Sequence, residues 1–164
     1  MTHTLFGPLL ILLPSAYPLL TLCGSVAAMD GTPAVKGMRL GRMPEVNVGD
    51  VLFYHYPTTW NHWMVDHALS FRLLPISPTE TELVTTWLVP AEAREGYDYD
   101  VATLTEVWEA TNRQDLELVE EVQRGVSSPA FTPGPYSPIN EAGVIDFIDW
   151  YESVVRRRFC GDTA

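Results

Sequence analysis

An apolar stripe with helical period runs from Val101 to Val122, and it commits this part of the chain to one long amphipathic helix. With Trp108 set at zero and 100° per residue, Val101, Leu104, Val119 and Val122 fall within about 40° of it. Asp115 falls about 20° away, inside the stripe, whereas Glu117, Glu120 and Glu121 point elsewhere. A carboxylate turned towards a core is costly unless a base, a hydrogen-bond network or a cation compensates it. From spacing alone two readings of Asp115 stand. It caps a loop or pairs with an arginine, or it serves a metal or catalytic site.

The segments before this helix have a different period. Val51 to Tyr56 is a short β-rich run stopped by Pro57. From Ala68 to Pro75, Leu69, Phe71 and Leu73 alternate with Ser70 and Arg72, the pattern of a half-buried strand. Ser77 to Glu80 supplies turn residues, and Leu83 to Val89 reads as the returning antiparallel strand. Asp100 suits the N-cap of the long helix, which is expected to end near Arg124 with Gly125 just past it. Ser137 and Pro138 are expected to open a second helix with an apolar face of Val144, Ile145, Ile148, Tyr151, Val155 and Phe159. The expected class is α+β, an antiparallel sheet followed by two long helices, with a ligand pocket where a sheet grips a helix.

Bulk properties narrow the function. A length of 164 residues accommodates one domain with a core. A net charge of −11 argues against nucleic acid or an anionic membrane surface as a partner. Ten Asp or Glu against Arg94 and Arg113 lie within residues 92–121, the composition of a solvated helix face. Cys23 and Cys160 form no CxxC pair, so a reducing, cytoplasmic setting is expected. The chain contains no Gly-rich phosphate loop, GxSxG elbow or HExxH motif.

Residues 1–27 are an unassigned apolar segment. Leu5 to Leu22 carries no charge, yet Pro8, Pro14 and Pro18 interrupt any membrane helix, and no Lys or Arg precedes it. A truncated start, a buried or loop segment, and an export signal with Ser25 to Ala28 as cleavage site all remain open.

His62 and His67 have the spacing of a metal pair. Trp60 to Asp66 reads as a loop and His67 onward as a strand. Positions five apart in extended chain face opposite sides, so hydrogen-bonded structural histidines are expected. Trp60, Trp63 and Trp87 suit either the core or an aromatic wall for an apolar or quaternary ammonium ligand.

Longer motifs carry a family resemblance. Met29-Asp-Gly-Thr-Pro-Ala-Val35, Leu40-Gly-Arg-Met-Pro44, His55-Tyr-Pro-Thr-Thr-Trp-Asn-His62 and Asp66-His67 resemble the catalytic domain of Rieske-type non-haem iron ring-hydroxylating oxygenase α subunits. So do Thr85-Thr-Trp-Leu-Val89, Glu95 to Asp100, Leu104 to Trp108, Gln123-Arg-Gly125, Ser128-Pro129 and Pro133 to Pro138. The branch most similar is the one that oxidises glycine betaine and related quaternary ammonium compounds. The resemblance covers about residues 28–155, so residues 28–160 are expected to form part of an oxygenase catalytic domain.

The resemblance implies a helix-grip, START-like fold, here incomplete. It implies a mononuclear Fe(II) held by two His and one carboxylate, with open positions for O₂. The carboxylate falls on Asp115, with Asn112 and Trp108 as candidate pocket residues. It further implies electrons from NAD(P)H through a reductase and a 2Fe–2S Rieske cluster, a small-molecule substrate and a homo-oligomer, a trimer in the full-length family. Two departures follow. The family's histidines belong to an Asp-x-x-His-x4-His motif upstream of the matching region, and Thr59 stands where its Asp would be, so no ligand role passes to His62 or His67. The Cys-x-His and Cys-x-x-His ligands of the Rieske cluster are absent from these residues. The expectation is a C-terminal portion of a larger oxygenase, inactive alone, from a truncated or misjoined frame. The alternatives are a non-enzymatic hydrophobic-ligand binder of helix-grip shape and a non-functional gene fragment.

Overall fold

The computed structural model of the chain describes residues 20–22, 28–41, 50–159 and 161. Most of the apolar N-terminal segment, both cysteines and Pro44 lie outside the described residues. Five strands are present: β1 (Leu20–Leu22), β2 (Asp50–His55), β3 (Thr59–Trp63), β4 (Ala68–Ser77) and β5 (Glu80–Leu88). Two helices follow, α1 (Val101–Val126) and α2 (Ala142–Phe159). The strands form one antiparallel sheet in sequence order. The α+β class and the sheet-then-helices order are therefore as expected.

Period-2 patterning places β4. Leu69 and Phe71 are buried while Arg72 is exposed, so the alternating strand turns its apolar residues to one side. These two side chains pack with Met64, Trp60, Trp87 and Trp108 into one core cluster. Ala34, Val35 and Leu104 form a second, to which Trp87 also belongs, with Met38, Val89, Ala93 and Tyr99 around it. Leu104 and Trp108, at the start of the helical stripe, thus supply the apolar cover that the sheet residues need.

Asp100 caps α1 as expected. Its carboxylate accepts hydrogen bonds from the Thr103 backbone N–H at 3.0 Å and the Thr103 hydroxyl at 3.2 Å. Those bonds, the backbone one first, hold the Asp100 carboxyl below its ordinary value.

Three expectations about element boundaries are corrected. Thr59–Trp63 is strand β3, not loop, because each residue finds a partner on both β2 and β4. Gly125 lies inside α1 rather than past its end, and it is not among the glycines with positive φ. The second helix starts at Ala142, not at Ser137. Ser137 instead closes a turn before it. The Ser137 N–H donates to Glu141 Oε2 at 2.6 Å, and the Ser137 hydroxyl accepts from the Asn140 N–H at 3.2 Å.

Two compact units make up the chain, Met1–Trp108 and Glu109–Ala164, and their boundary falls inside α1. The first contains the sheet and both core clusters. In the second, Ile145, Phe147, Ile148, Trp150, Val154 and Val155 of α2 are half-buried, and Phe147 contacts the rings of Trp150 and Tyr151 at 5.8 and 6.3 Å. Among the described residues no helix is long and apolar enough to cross a membrane.

Phe71 stacks on Trp60 at 5.0 Å and meets Trp108 edge-on at 5.2 Å, so it is the centre of the first unit's aromatic core. Phe71→Ala is expected to cost about 3–5 kcal/mol in urea unfolding and Phe71→Leu markedly less. Equal losses for both would show that cavity volume is not what matters there.

Candidate functional site

The β3–β4 hairpin places chemistry on the buried side of the sheet. Trp63 pairs with Ala68 and His62 with Leu69, and the Met64 N–H donates to the His67 carbonyl at 3.0 Å. Directly paired residues share a face, so His62 and Leu69 lie together and Met64 with His67 extends the same row. The expectation that His62 and His67 face opposite sides is corrected. It held for one extended segment, whereas the chain reverses between them.

Each histidine is held by a buried carboxylate. His62 Nδ1 bonds to Asp50 Oδ2, and His67 Nδ1 bonds to Asp66 Oδ1 at 3.0 Å. Asp66 Oδ2 also accepts the Val35 backbone N–H at 2.9 Å, which ties the segment between β1 and β2 to the hairpin. His67 is 0% exposed and Asp50 1%. An ionised carboxylate only accepts, so in each of these bonds Nδ1–H is the donor. The expectation that these histidines are hydrogen-bonded is borne out by this geometry. The sequence reading missed their partners. The adjacency of Asp66 and His67 was the available signal, while Asp50 is reached only through the strand register.

The Asp66 carboxyl feels opposing influences. Burial raises it, but hydrogen bonds from His67 and Val35, with the electrostatic pull of the His67 ring, together bring it below its ordinary value.

The His62 ring lies against Trp108 of α1, with centroids 4.4 Å apart, and edge-on to Phe71 at 5.7 Å. Four buried polar atoms here make no hydrogen bond to any group of the described residues: Asp50 Oδ1, His67 Nε2, Trp87 Nε1 and Trp108 Nε1.

Asp115 has a different environment from the one its phase suggests. Trp108 and Leu104 are covered, but every residue from Arg113 to Val126 is exposed, Val119 and Val122 among them. Asp115 is therefore not a buried charge in this structure, and the need for compensation does not arise here. The stripe has the expected phase; the burial inferred from it is corrected beyond Asn112, which is half-buried.

Among the described residues, no three His, Cys, Asp or Glu side chains come together to hold a metal ion. The two buried histidines carry the carboxylate partner typical of metal-binding imidazoles, but they are not joined by a third ligand. The described residues do not make up an iron site.

Residues 12–157 match the ring hydroxylating alpha subunit (catalytic domain) family. The chain is 48% identical over 130 residues to a glycine betaine monooxygenase oxygenase subunit of Chromohalobacter salexigens. It is 50% identical over 131 residues to one of Pseudomonas aeruginosa. These alignments cover 79% of this chain but only 29% and 30% of the relatives, so the chain spans about three-tenths of their length.

Asp66→Asn tests the hairpin lock. Because the folded-state carboxyl is depressed, its stabilisation is fully present above the unfolded value of about 3.9 and is lost as pH falls through the folded value. The variant is expected to be less stable than the parent at pH 7, with the gap closing below about pH 4. Urea midpoints across that range measure it, and a gap independent of pH would rule out the carboxylate as its source.

Proposed function

We propose a function from one premise: the chain belongs to the family of ring hydroxylating alpha subunit catalytic domains. It is the C-terminal part of the catalytic domain of a Rieske-type oxygenase, of incomplete helix-grip shape. The whole protein takes O₂ and NAD(P)H-derived electrons, delivered by a reductase through a Rieske cluster, and hydroxylates or N-demethylates a small substrate such as glycine betaine. It works in the cytoplasm as a homo-oligomer.

The observation that supports this reading most strongly is about 50% identity, over nearly four-fifths of this chain, to oxygenase subunits named for glycine betaine. The ordered motifs from Met29 to Pro138 lie within the matched span. Asp115 is assigned as the carboxylate of a two-His, one-carboxylate iron set whose histidines lie outside these residues. Asn112, three residues earlier on α1, either orients that carboxylate or lines the pocket, and Trp108 is assigned to the pocket wall. The exposed position of Asp115 suits a ligand awaiting the rest of its set, since an exposed carboxylate is stable without a partner.

This assignment makes the 164-residue chain inactive alone, because one exposed carboxylate is not a competent iron site. Anaerobic titration of the chain with Fe(II) is expected to show weak, non-stoichiometric binding and no turnover of glycine betaine. Tight binding of one equivalent with turnover would sink the proposal. Asp115→Ala in the same chain is expected to leave stability within about 0.5 kcal/mol of the parent, as at other exposed positions. A large change in thermal midpoint would mean that Asp115 is a structural residue.

A further inference from the structure

Two rings of the sheet hold the half-buried indole of Trp108. The His62 ring lies 4.4 Å from it at an interplanar angle of 53°, and Phe71 meets it edge-on at 5.2 Å. Each of these rings is itself fixed. Phe71 is buried and stacks on Trp60. His62 is buried in β3 between its partners Leu52 and Leu69, and its Nδ1 bonds to Asp50. Asp50 stands two residues before Leu52 on β2, so it shares the face of His62. All of these residues belong to the first unit.

We propose that Asp50, acting through His62, positions the indole of Trp108, so that a carboxylate on a strand sets the stance of a ring on the helix.

The hydrogen bond is what makes His62 a fixed wall. The outer torsion of a histidine is broad, and apolar contact alone leaves the ring free to turn. A bond to a buried carboxylate is charge-assisted and removes that freedom, because breaking it leaves a buried charge unpaired. Trp108 then lies against a ring of set angle on one side and Phe71 on the other. The consequence for turnover rests on the assignment of Trp108 to the pocket wall. A quaternary ammonium is attracted to an indole face only within about 6 Å of the ring centre, so a turned ring loses it. Asp50 and His62 are positioning residues and need no contact with substrate.

The test compares Asp50→Ala with Asp50→Asn, whose amide oxygen still accepts from Nδ1–H. In the intact 164-residue chain, nuclear Overhauser contacts between the rings of His62 and Trp108 are expected in the parent and in Asp50→Asn, and are expected to be lost in Asp50→Ala. Where Asp50→Ala does not fold, His62→Phe keeps a ring without the bond, and the Trp108 contacts to Phe71 are expected to change. Unchanged contacts in either variant overturn the proposal, as does Asp50→Asn losing them as fully as Asp50→Ala. The kinetic arm uses the Pseudomonas aeruginosa oxygenase subunit with residues 28–157 of this chain in place of its matching stretch. There Asp50→Ala is expected to raise KM for glycine betaine about tenfold with kcat changed much less, and Asp50→Asn to restore it. A raised KM in Trp108→Phe beside an unchanged one in Asp50→Ala also overturns the proposal. An unchanged KM in Trp108→Phe removes Trp108 from the pocket wall, which is a failure of that assignment and not of the positioning.

Discussion

The register of the β3–β4 hairpin is the constraint on which the first unit depends. Trp63 opposite Ala68, with Met64 hydrogen-bonded to His67, puts His62, Met64, His67, Leu69 and Phe71 on one buried side. A slip of one residue would turn each strand's buried set to the other face. The polar groups in the row make such a slip costly, because His62 would leave Asp50 and His67 would leave Asp66, each a buried carboxylate. Apolar packing drives the hairpin closed, and the two histidine–aspartate pairs specify which closed form is reached. Asp66 extends this specification beyond the sheet by taking the Val35 N–H.

Much of this architecture is legible in the sequence where one period dominates. The alternation of Leu69, Ser70, Phe71 and Arg72 places β4, and Asp100 marks the start of α1. Legibility fails where local chemistry is neutral and tertiary partners decide. Thr59 to Trp63 has no clean alternation, and only β2 and β4 on either side make it a strand. Gly125 has the residue type of a helix end, yet the helical hydrogen bonds continue through it. Asp115 shows a subtler limit. Helical phase says which way a side chain points, and burial depends on what stands there, so Leu104 and Val119 share a stripe while only Leu104 is covered.

The candidate site is read from two sources that agree on different things. The motif pattern and the relatives agree on the family, and Asp115 as the iron carboxylate is a proposal that rests on the motif resemblance. The local structure supplies no ligand set among the described residues, and the chain spans about three-tenths of the length of these relatives. Conversely, the buried histidine–aspartate pairs stand out in the structure, whereas the sequence predicts hydrogen-bonded histidines without naming their aspartate partners. Their Nδ1 partners, rather than the spacing, define what they do. Composition held no comparable clue, since the acidic surplus around α1 belongs, apart from the buried Asp98, to exposed residues.

The central claim is that these residues are oxygenase catalytic-domain sequence with Asp115 as the iron carboxylate. The most direct test is a graft. Residues 28–157 of this chain replace the matching stretch of the Pseudomonas aeruginosa oxygenase subunit, and mononuclear iron per subunit is measured with and without Asp115→Ala. The account predicts that the graft retains that iron and that the substitution removes it while the Rieske signal stays. Full mononuclear iron in the Asp115→Ala graft would contradict it.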